Sequence, residues 1–291
     1  MARWDTTVTP AAVDKLVAIV RQRIPEMGEA SPMLIGEGIS TLTYGLTSSD
    51  GEWVLRVSRR YPEPWMWRGG RRHEVALLAE LRHRGVPVPD DAMVIEETNG
   101  LPAAILERRV AGRPLSPEMV QDDSGLVGRI AAVLDRFHAV DVDDAIERGV
   151  PQDDPTAEFR QALATVGLDA GLRQRVEAAV ASLESRQTVR ALCHRDFRVE
   201  HLIVNDDGEL VGLLDLGEIG VDDPAVDLAF LHGELGPGIV AEICRAMETA
   251  DPDLSAAART FYNLWPLLEL APGGESWGDP ATARSRLDAQ I

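Results

Sequence analysis

Residues 193–204 carry the sequence CHRDFRVEHLIV, a dense run of chemically active side chains. Asp215 follows in the segment LLDLGE, and the run DDPAVDLA begins at residue 222. The apolar residues between 202 and 216 surround an Asp-Gly pair, a pattern typical of short strands joined by a turn. We therefore expect a strand-loop-strand element that brings carboxylates and a histidine close together.

These side chains match the needs of phosphoryl transfer. That reaction requires a carboxylate that receives or orients the proton of the acceptor hydroxyl, ligands that hold Mg²⁺ against the phosphates, and a cation that offsets charge on the transferring group. Asp196 suits the first role, and Asp215 with His201 suits the second. Arg198 is the candidate cation. The alternative is a set of solvated carboxylates without a function, which the ordered spacing of the whole set disfavours.

The ordered set His194-x-Asp196, His201, Asp215 and the Asp-Pro-x-x-Asp-Leu-Ala run that holds Asp227 resembles the aminoglycoside and macrolide phosphotransferases, relatives of protein kinases. The resemblance implies that Asp196 is the catalytic aspartate and that Asp215 is the metal-binding aspartate. It also implies Mg²⁺ as cofactor and ATP or GTP as co-substrate. His201 stands where most members have asparagine, which leaves open whether it binds the metal directly. We expect Asp227 to brace the catalytic loop.

The rest of the chain predicts two lobes. Thr9-Pro10 is a strong helix start, because a capping hydroxyl precedes a proline at the first helical position. Strands are predicted at 33–37, 43–47, 52–57, 92–96 and 103–108, with a helix at 71–84 after the third strand. The pattern beyond them is mostly helical. The expected fold is α+β: a small five-stranded lobe at 1–105, a hinge at 106–112 and a larger helical lobe at 113–291, which the resemblance makes kinase-like.

The N-terminal half supplies candidate phosphate ligands in the order that the resemblance implies. Ser40 lies in the segment GEGIST, between two predicted strands, where such kinases have a loop that covers the phosphates. Arg56 occupies the position of the strand lysine, and Glu74 matches the glutamate that pairs with it. Arginine can bind phosphate bidentately. Lys15, in the opening helix, is the single lysine in the chain, so no other lysine is available for that role.

The predicted hinge has the sequence LERRVAG. The resemblance implies that main-chain groups of Arg108 and Val110 bind the purine base. Because main-chain atoms recognise the base, the side chains at these positions do not decide between ATP and GTP.

The charge of the chain points to the chemistry of the acceptor. Residues 1–105 carry 12 basic and 14 acidic side chains, a net charge of −2, whereas residues 106–291 carry 17 and 34, a net charge of −17. An acidic lobe can attract a cationic small molecule, and it argues against binding of nucleic acid. The alternative is a solubilising surface without a ligand. No apolar run reaches the roughly 18–20 residues that cross a bilayer, so we expect a cytoplasmic protein without membrane contact. We expect it to be a monomer or a dimer.

Three acidic residues are candidates for binding the acceptor: Glu218, Glu234 and Glu269. Glu269 closes an aromatic stretch that begins at Phe261 and could line the pocket. The alternative for this stretch is an amphipathic helix that buries Phe261, Leu264, Trp265 and Leu268 in the core. Residues 65–67, Trp-Met-Trp, are a candidate lid over the cleft, against the alternative of simple packing.

Several acceptors and one different function stay open. An aminoglycoside is the first expectation and a macrolide the second. A metabolic kinase of an amino alcohol or sugar is an alternative, since the scaffold also resembles choline and homoserine kinases. A nucleotide-binding pseudokinase is the alternative outside enzymes, although Asp196 and Asp215 are both present.

Overall fold

A computed structural model describes residues 8–38, 41–59, 70–98, 101–152, 154–186, 190–272 and 279–291 of the chain. It begins with helix α1 (Pro10–Arg23), where the Thr9 hydroxyl caps the first turn by accepting a hydrogen bond from the Ala12 N–H at 3.2 Å. The apolar residues of α1, at helical spacing, are buried: Val13, Leu16, Val17 and Val20. This face packs against a β-sheet.

The sheet of the small lobe has five antiparallel strands, as the sequence predicted. They are β1 (Met33–Glu37), β2 (Thr41–Ser48), β3 (Gly51–Ser58), β4 (Ala92–Ile95) and β5 (Ala104–Arg108), in the order β1-β2-β3-β5-β4. The predicted boundaries differ from these by at most two residues. Helix α2 (Gly70–His83) lies between β3 and β4 in the chain.

The two faces of this sheet have different surroundings. One face buries a cluster beneath α1 that includes Leu46, Trp53, Leu55, Val57 and Leu106. Alternate residues point to opposite faces of a strand, so Arg56 of β3 points away from α1. Arg56 therefore lies on the face that meets the larger lobe, which we call the cleft face.

The larger lobe is mainly helical. Its helices are α3 (Pro117–Asp122), α4 (Ser124–His138), α5 (Val142–Glu147), α6 (Pro155–Thr165), α7 (Ala170–Glu184), α8 (Ala225–Ala246), α9 (Leu254–Leu270) and α10 (Pro280–Gln290). Its core also takes in Leu77, Leu78 and Leu81 of α2, so this helix packs into the larger lobe although it lies between two strands of the small sheet. None of the described helices is long and apolar enough to cross a membrane.

Two small sheets hold the segment 191–222, which carries the candidate catalytic residues. One pairs β7 (Ala191–Cys193) with β10 (Gly220–Asp222), and the other has the order β6 (Arg113–Pro114), β8 (Leu202–Val204), β9 (Leu210–Leu213). The island predicted at 202–216 is thus the β8–β9 hairpin. The β7–β10 pair was not predicted. The loops that leave β7 and β9 carry the candidate catalytic residues.

Candidate active site

The loop between β7 and β8, residues 194–201, carries Asp196 and His201, and we call it the catalytic loop. A buried carboxylate on α8 braces this loop. Asp227 accepts hydrogen bonds from the main-chain N–H groups of Arg195 at 2.7 Å and His194 at 3.1 Å. The Asp227 carboxylate also contacts His138 Nε2 of α4 at 2.9 Å. All three of these contacts are shielded from water, since Asp227 is fully buried. The prediction that Asp227 braces the loop is confirmed.

The ring of His194 ties this loop to the segment that carries Asp215. Its Nδ1 accepts a hydrogen bond from the Asp196 N–H at 3.3 Å, so its Nε2 carries the proton and donates to the Leu214 carbonyl at 2.9 Å. Burial lowers the pKa of His194. A neutral imidazole with one donor and one acceptor satisfies both contacts, which makes His194 a structural link between the two segments.

Both segments contain a residue in the left-handed region of the backbone. Arg195 has a φ of 65° and Asp215 a φ of 59°. Such conformations cost energy for residues other than glycine and concentrate at functional sites. Gly220 makes room for the Arg195 side chain, because a Cβ at position 220 would lie 2.6 Å from Arg195 Nη1.

Asp196, His201 and Asp215 form a candidate metal centre. One ligand atom from each lies within 4.8 Å of the others. His201 Nδ1 donates to the Asp196 carbonyl at 2.8 Å, so the proton sits on Nδ1 and Nε2 keeps its lone pair. That Nε2 lies 3.9 Å from Asp215 Oδ2. Two ligands of one octahedral Mg²⁺ ion, each at about 2.1 Å, are about 3.0 Å apart in cis and about 4.2 Å apart in trans, so this pair lies within the reach of one ion.

The chemistry of this donor set fits a divalent cation. Mg²⁺ prefers carboxylate oxygens, which Asp215 supplies, and it commonly takes its remaining ligands from phosphates and water. An imidazole is a more usual ligand for transition metals. The fit of Mg²⁺ thus depends mainly on Asp215, and a direct bond from His201 stays a prediction.

Asp196 lies at the mouth of this centre with its side chain 30% exposed. Burial raises the pKa of the Asp196 carboxyl to about 6, and the charge of Asp215 acts in the same direction. His201 and Arg198 oppose this rise. A carboxylate with a raised pKa is a better proton acceptor than an ordinary aspartate.

Arg56 connects the small lobe to the metal centre. Its Nη2 donates to Asp215 Oδ1 at 2.8 Å, and its Nη1 makes a short contact with Glu74 Oε1 on α2. Burial would lower the pKa of Arg56, but the carboxylates of Glu74, Glu107 and Asp215 raise it above its ordinary value. The predicted pair of Arg56 and Glu74 is therefore present, while their contact with phosphate stays a prediction.

Arg198 and Glu234 are paired with each other. Arg198 Nε donates to Glu234 Oε1 at 3.0 Å and contacts Glu200 Oε1 at 3.1 Å. Glu234 Oε2 accepts the Val199 N–H at 2.8 Å. Glu234 thus braces the end of the catalytic loop, and Arg198 is held at a cavity beside this loop rather than at the metal centre.

This cavity has a volume of about 150 Å³ and is mainly aromatic. The Phe230 and Trp265 rings meet edge to face with centroids 4.3 Å apart. The remaining lining comes from Ala229, Tyr262 and the paired Arg198 and Glu234. Its place beside the catalytic loop makes it the candidate pocket for an acceptor.

The other two predicted acceptor acids lie in different surroundings. Both carboxylate oxygens of Glu269 accept from Arg286 Nη1, at 3.0 and 3.1 Å, and the residue is buried. This ion pair joins α9 to α10, so we leave Glu269 out of the acceptor pocket. Glu218 is exposed, three residues beyond Asp215, and its charge adds to the rise in the pKa of Asp196.

The two residues predicted to bind the base at the hinge, Arg108 and Val110, differ in whether their N–H groups already donate a hydrogen bond. The Arg108 N–H donates to the Asp91 carbonyl at 2.9 Å, and the guanidinium lies 4.0 Å from the centre of the Trp53 ring. The described residues provide no hydrogen-bond acceptor for the Val110 N–H. Val110 is thus the better placed of the two to donate to a base. Ser40 and residues 65–67 lie outside the described residues.

Sequence reasoning missed two residues of this site. Glu107 of β5 is 7% exposed and its Oε2 lies 3.7 Å from Arg56 Nη1. Burial raises the pKa of Glu107 to about 7, against the opposing effect of Arg56. The alternation of β5 was the available signal, because it places Glu107 on the face opposite Leu106. His138 had no such signal, since it lies in an amphipathic helix far along the chain from Asp227.

Comparisons with known proteins agree with this geometry. The model of the phosphotransferase enzyme family matches residues 33–259, more than half of the chain. No curated protein sequence matches. Among solved structures, the GDP complex of wild-type aminoglycoside 2'-phosphotransferase-IIIa matches with a TM-score of 0.75 at 18% identity, covering 95% of this chain and 97% of that one.

Two further structures extend the range. Macrolide 2'-phosphotransferase MphH from Brachybacterium faecium has a TM-score of 0.72 at 21% identity, with 97% of this chain and 98% of that one covered. A choline/ethanolamine kinase family protein from Mesorhizobium loti has a TM-score of 0.62 at 18% identity, with 96% and 92% covered. At these identities the likeness shows the fold, which confirms the expected kinase-like architecture.

Proposed function

The chain belongs to the phosphotransferase enzyme family, and from this premise we propose that it is a small-molecule kinase that moves the terminal phosphate of ATP or GTP onto a hydroxyl. The observation that carries the proposal is the convergence of Asp196, His201 and Asp215 within 4.8 Å. Arg56 contacts this group from the other lobe, 2.8 Å from Asp215. An acid, a metal-binding pair and a cation thus meet at one cleft, as phosphoryl transfer requires.

In the proposed reaction the acceptor hydroxyl lies beside Asp196. Its oxygen forms a bond to the terminal phosphorus while the bond from that phosphorus to the bridging oxygen of the nucleotide breaks. The nucleoside diphosphate leaves with that electron pair, and the Asp196 carboxylate receives the hydroxyl proton. Most of the rate should come from positioning and charge stabilisation, because the transition state is loose and its proton can leave late.

Asp215 and His201 would hold Mg²⁺, and Arg56 would bind the α- and β-phosphates. Bound Mg²⁺ supplies positive charge against the phosphate oxygens. Two matched structures hold GDP and ATP respectively, which supports either nucleotide. In the hinge, the Val110 N–H is the proposed donor to the purine and Arg108 contributes through its main chain. Ser40 stays in the proposal as a phosphate contact.

For the acceptor we propose an antibiotic that carries a cationic amine, either an aminoglycoside or a macrolide. The acidic larger lobe supports the first, because an aminoglycoside carries several ammonium groups. The described lining of the acceptor cavity supports the second, because it is aromatic and Glu234 is already paired with Arg198. Glu218, exposed beside the metal centre, is the carboxylate best placed to meet an ammonium group.

A second candidate is a kinase of a small amino alcohol. Phe230, Tyr262 and Trp265 provide aromatic faces around a cavity of only about 150 Å³. Such faces attract ammonium groups through cation–π interactions. The match to a choline/ethanolamine kinase family protein points in the same direction.

The test is a transfer assay. The purified protein is incubated with Mg²⁺ and ATP or GTP against aminoglycosides, macrolides, choline, ethanolamine and homoserine, and each product is examined by mass spectrometry for the gain of one phosphate. Reactions with a non-hydrolysable nucleotide analogue serve as the control. A phosphorylated antibiotic is the expected result, and the panel identifies its class.

The other outcomes separate the alternatives. Phosphorylated choline or ethanolamine would replace the antibiotic with the second candidate. Nucleotide hydrolysis without a product would keep the kinase and reject the whole panel. Nucleotide binding without transfer or hydrolysis would support a pseudokinase, and the absence of nucleotide binding would contradict the proposal.

A further inference from the structure

The cleft face carries one more carboxylate than the proposed mechanism uses. In the antiparallel pair of β3 and β5, Arg56 lies opposite Ile105 and Val54 lies opposite Glu107. Directly opposed residues share a face, and diagonal neighbours are within reach of long side chains. Arg56 and Glu107 are such a diagonal pair. The sheet register itself therefore directs the Glu107 carboxylate towards the Arg56 guanidinium.

Arg56 contacts three carboxylates from three different elements. Its Nη1 contacts Glu74 Oε1 of α2 and lies 3.7 Å from Glu107 Oε2 of β5. Its Nη2 contacts Asp215 Oδ1 at 2.8 Å. Among the described residues, Arg56 is the one cation within ion-pair distance of Glu107. If all three acids are ionised, the cluster has a net charge of −2, in a cleft that must admit phosphates.

A lysine at position 56 would not satisfy this cluster. The planar guanidinium presents its donors in a rigid fork, so different acids can be bound from different edges. An ammonium group is a single point of charge, and moving it towards Glu107 moves it away from Glu74 and Asp215. A buried carboxylate that loses its cation is costly. Glu107 would thus compete with the phosphates for the lysine.

We infer that Glu107 is a positioning residue for Arg56, and that its carboxylate is the reason why this cleft requires arginine instead of lysine. The inference rests on the proposed function, because it takes Arg56 as the cation that meets the nucleotide phosphates. Glu107 fixes the plane of the guanidinium from the sheet side at Nη1, while Nη2 points to Asp215, where the metal-bound phosphates would lie.

The experiment is a double-mutant cycle read by nucleotide affinity. Dissociation constants for ADP and GDP with Mg²⁺ are measured by calorimetry for the wild type, Arg56→Lys, Glu107→Gln and the double variant. We expect Arg56→Lys to weaken binding by about tenfold or more. Glu107→Gln should weaken it by about threefold, because the neutral amide holds the guanidinium less firmly. The double variant should recover most of the loss, a departure from additivity of about fivefold or more.

Controls separate positioning from a purely structural role. Circular dichroism and thermal unfolding verify that each variant is folded, and Glu107→Met replaces Glu107→Gln if the latter does not fold. The matched control is Arg160→Lys with Glu184→Gln, which alters an exposed ion pair between α6 and α7 at 2.5 Å. We expect that cycle to leave nucleotide affinity unchanged.

The outcomes distinguish this inference from the proposed function. A wild type that binds nucleotide, with a double variant as weak as Arg56→Lys alone, overturns the positioning role of Glu107. The positioning role is also overturned if the Arg56 and Glu107 substitutions are coupled in their effect on the unfolding temperature but are additive in their effect on nucleotide affinity. A wild type that binds neither ADP nor GDP overturns the proposed function together with this inference.

Discussion

The catalytic loop and the cleft face of the small sheet position their functional side chains by different means. In the loop, main-chain N–H groups of His194 and Arg195 donate to the fully buried Asp227. On the cleft face, Arg56 is held by the charges of surrounding carboxylates, one of which, Asp215, is about half exposed. One region is fixed by hydrogen bonds to the backbone and the other by a balance of charges.

The difference indicates how each region responds to ligands. Hydrogen bonds to the backbone fix geometry in the absence of a nucleotide, which is the preorganisation that catalysis needs. A cluster with an excess of negative charge must rearrange when phosphates and a divalent cation enter, and its exposed part is screened by salt. We therefore expect substitutions in the loop to change turnover and stability, and substitutions on the cleft face to change nucleotide affinity.

The largest expected effect comes from Asp196→Asn. The amide cannot receive the proton of the acceptor hydroxyl, so we expect kcat to fall by about 10²–10⁴-fold. The affinity for ADP or GDP should stay within about threefold of the wild type, because Asp196 is not the residue that holds the phosphates. Initial rates with the acceptor found in the transfer assay, together with calorimetry, measure both quantities.

The control for this substitution is Asp207→Asn, which changes an exposed aspartate in the turn between β8 and β9. It should retain the turnover of the wild type. If Asp196→Asn also retained more than about a tenth of kcat, Asp196 would not be the proton acceptor. The expectation that the catalytic loop sets turnover, and the cleft face sets nucleotide affinity, would then be wrong.

The second effect in size is expected for Asp227→Asn. The amide has one acceptor oxygen for the N–H groups of His194 and Arg195, and it brings an N–H₂ group towards buried donors. We expect a loss of about 3 kcal/mol in the free energy of unfolding, measured by chemical denaturation. The kcat of the folded variant should also fall, because the loop loses its brace.

Asp135→Asn is the matched surface control. Asp135 also accepts two main-chain N–H groups, from Glu248 at 2.9 Å and Thr249 at 3.1 Å, but it does so at the surface. Water can replace those bonds, so the loss should stay below about 1 kcal/mol. Equal losses for the two variants would show that burial of the brace contributes nothing.

How much of the fold the sequence could predict depends on whether an element is defined by its own residues or by distant ones. Five strands of the small sheet and the first helix follow from residue patterns long enough to show a period. The strands β7 and β10 have three residues each and show no period, so only their pairing across the chain defines them. The bend in α8 is local in origin, because Gly236 has a φ of 78° and Pro237 follows it inside the helix.

The candidate site was predictable in its local part. Asp196, His201 and Asp215 follow from order and spacing within one continuous segment, and the structure places them together. Glu107 was not predicted because its contact with Arg56 depends on the register of β3 against β5. Glu234 was predicted as an acceptor contact, but its pairing with Arg198 depends on how α8 lies against the loop.

We expect the stability of the protein to depend on pH. This prediction depends on a buried carboxylate beside the catalytic loop whose hydrogen-bonding capacity is only partly used. Asp222 of β10 is buried, and its Oδ2 has no hydrogen-bond partner among the described residues. Burial raises the pKa of Asp222 to about 7. The folded protein therefore keeps this proton at pH values where the unfolded chain has released it. This lowers stability progressively as the pH rises from about 4 to about 7.

Asp222→Asn removes this dependence. Relative to the wild type, the variant should gain about 1–3 kcal/mol in unfolding free energy between pH 5 and pH 8. Asp279→Asn is a control of opposite sign, because hydrogen bonds from Thr282 lower the pKa of Asp279 and its stabilisation is lost as the pH falls. A gain for Asp222→Asn that does not vary with pH would contradict the titration of Asp222 in this range.

The smallest expected effect is at Glu234, where both means of positioning meet. Glu234 binds Arg198 through charge and the Val199 N–H through a main-chain hydrogen bond, and glutamine keeps only one acceptor oxygen for the two. We expect Glu234→Gln to lower kcat/KM for the acceptor by about 3–10-fold with no change in the KM for nucleotide.

Glu200→Gln separates the two contributions at this position, because Glu200 contacts the same Arg198 Nε at 3.1 Å. Unlike Glu234, Glu200 accepts a hydrogen bond from no main-chain N–H group among the described residues. If charge alone holds Arg198, the two variants should lower kcat/KM equally, and both effects should fade with added salt. If the bond to the Val199 N–H positions the loop, Glu234→Gln should be the weaker enzyme at every salt concentration. We expect the second result, since hydrogen bonds to the backbone hold the rest of this loop in place.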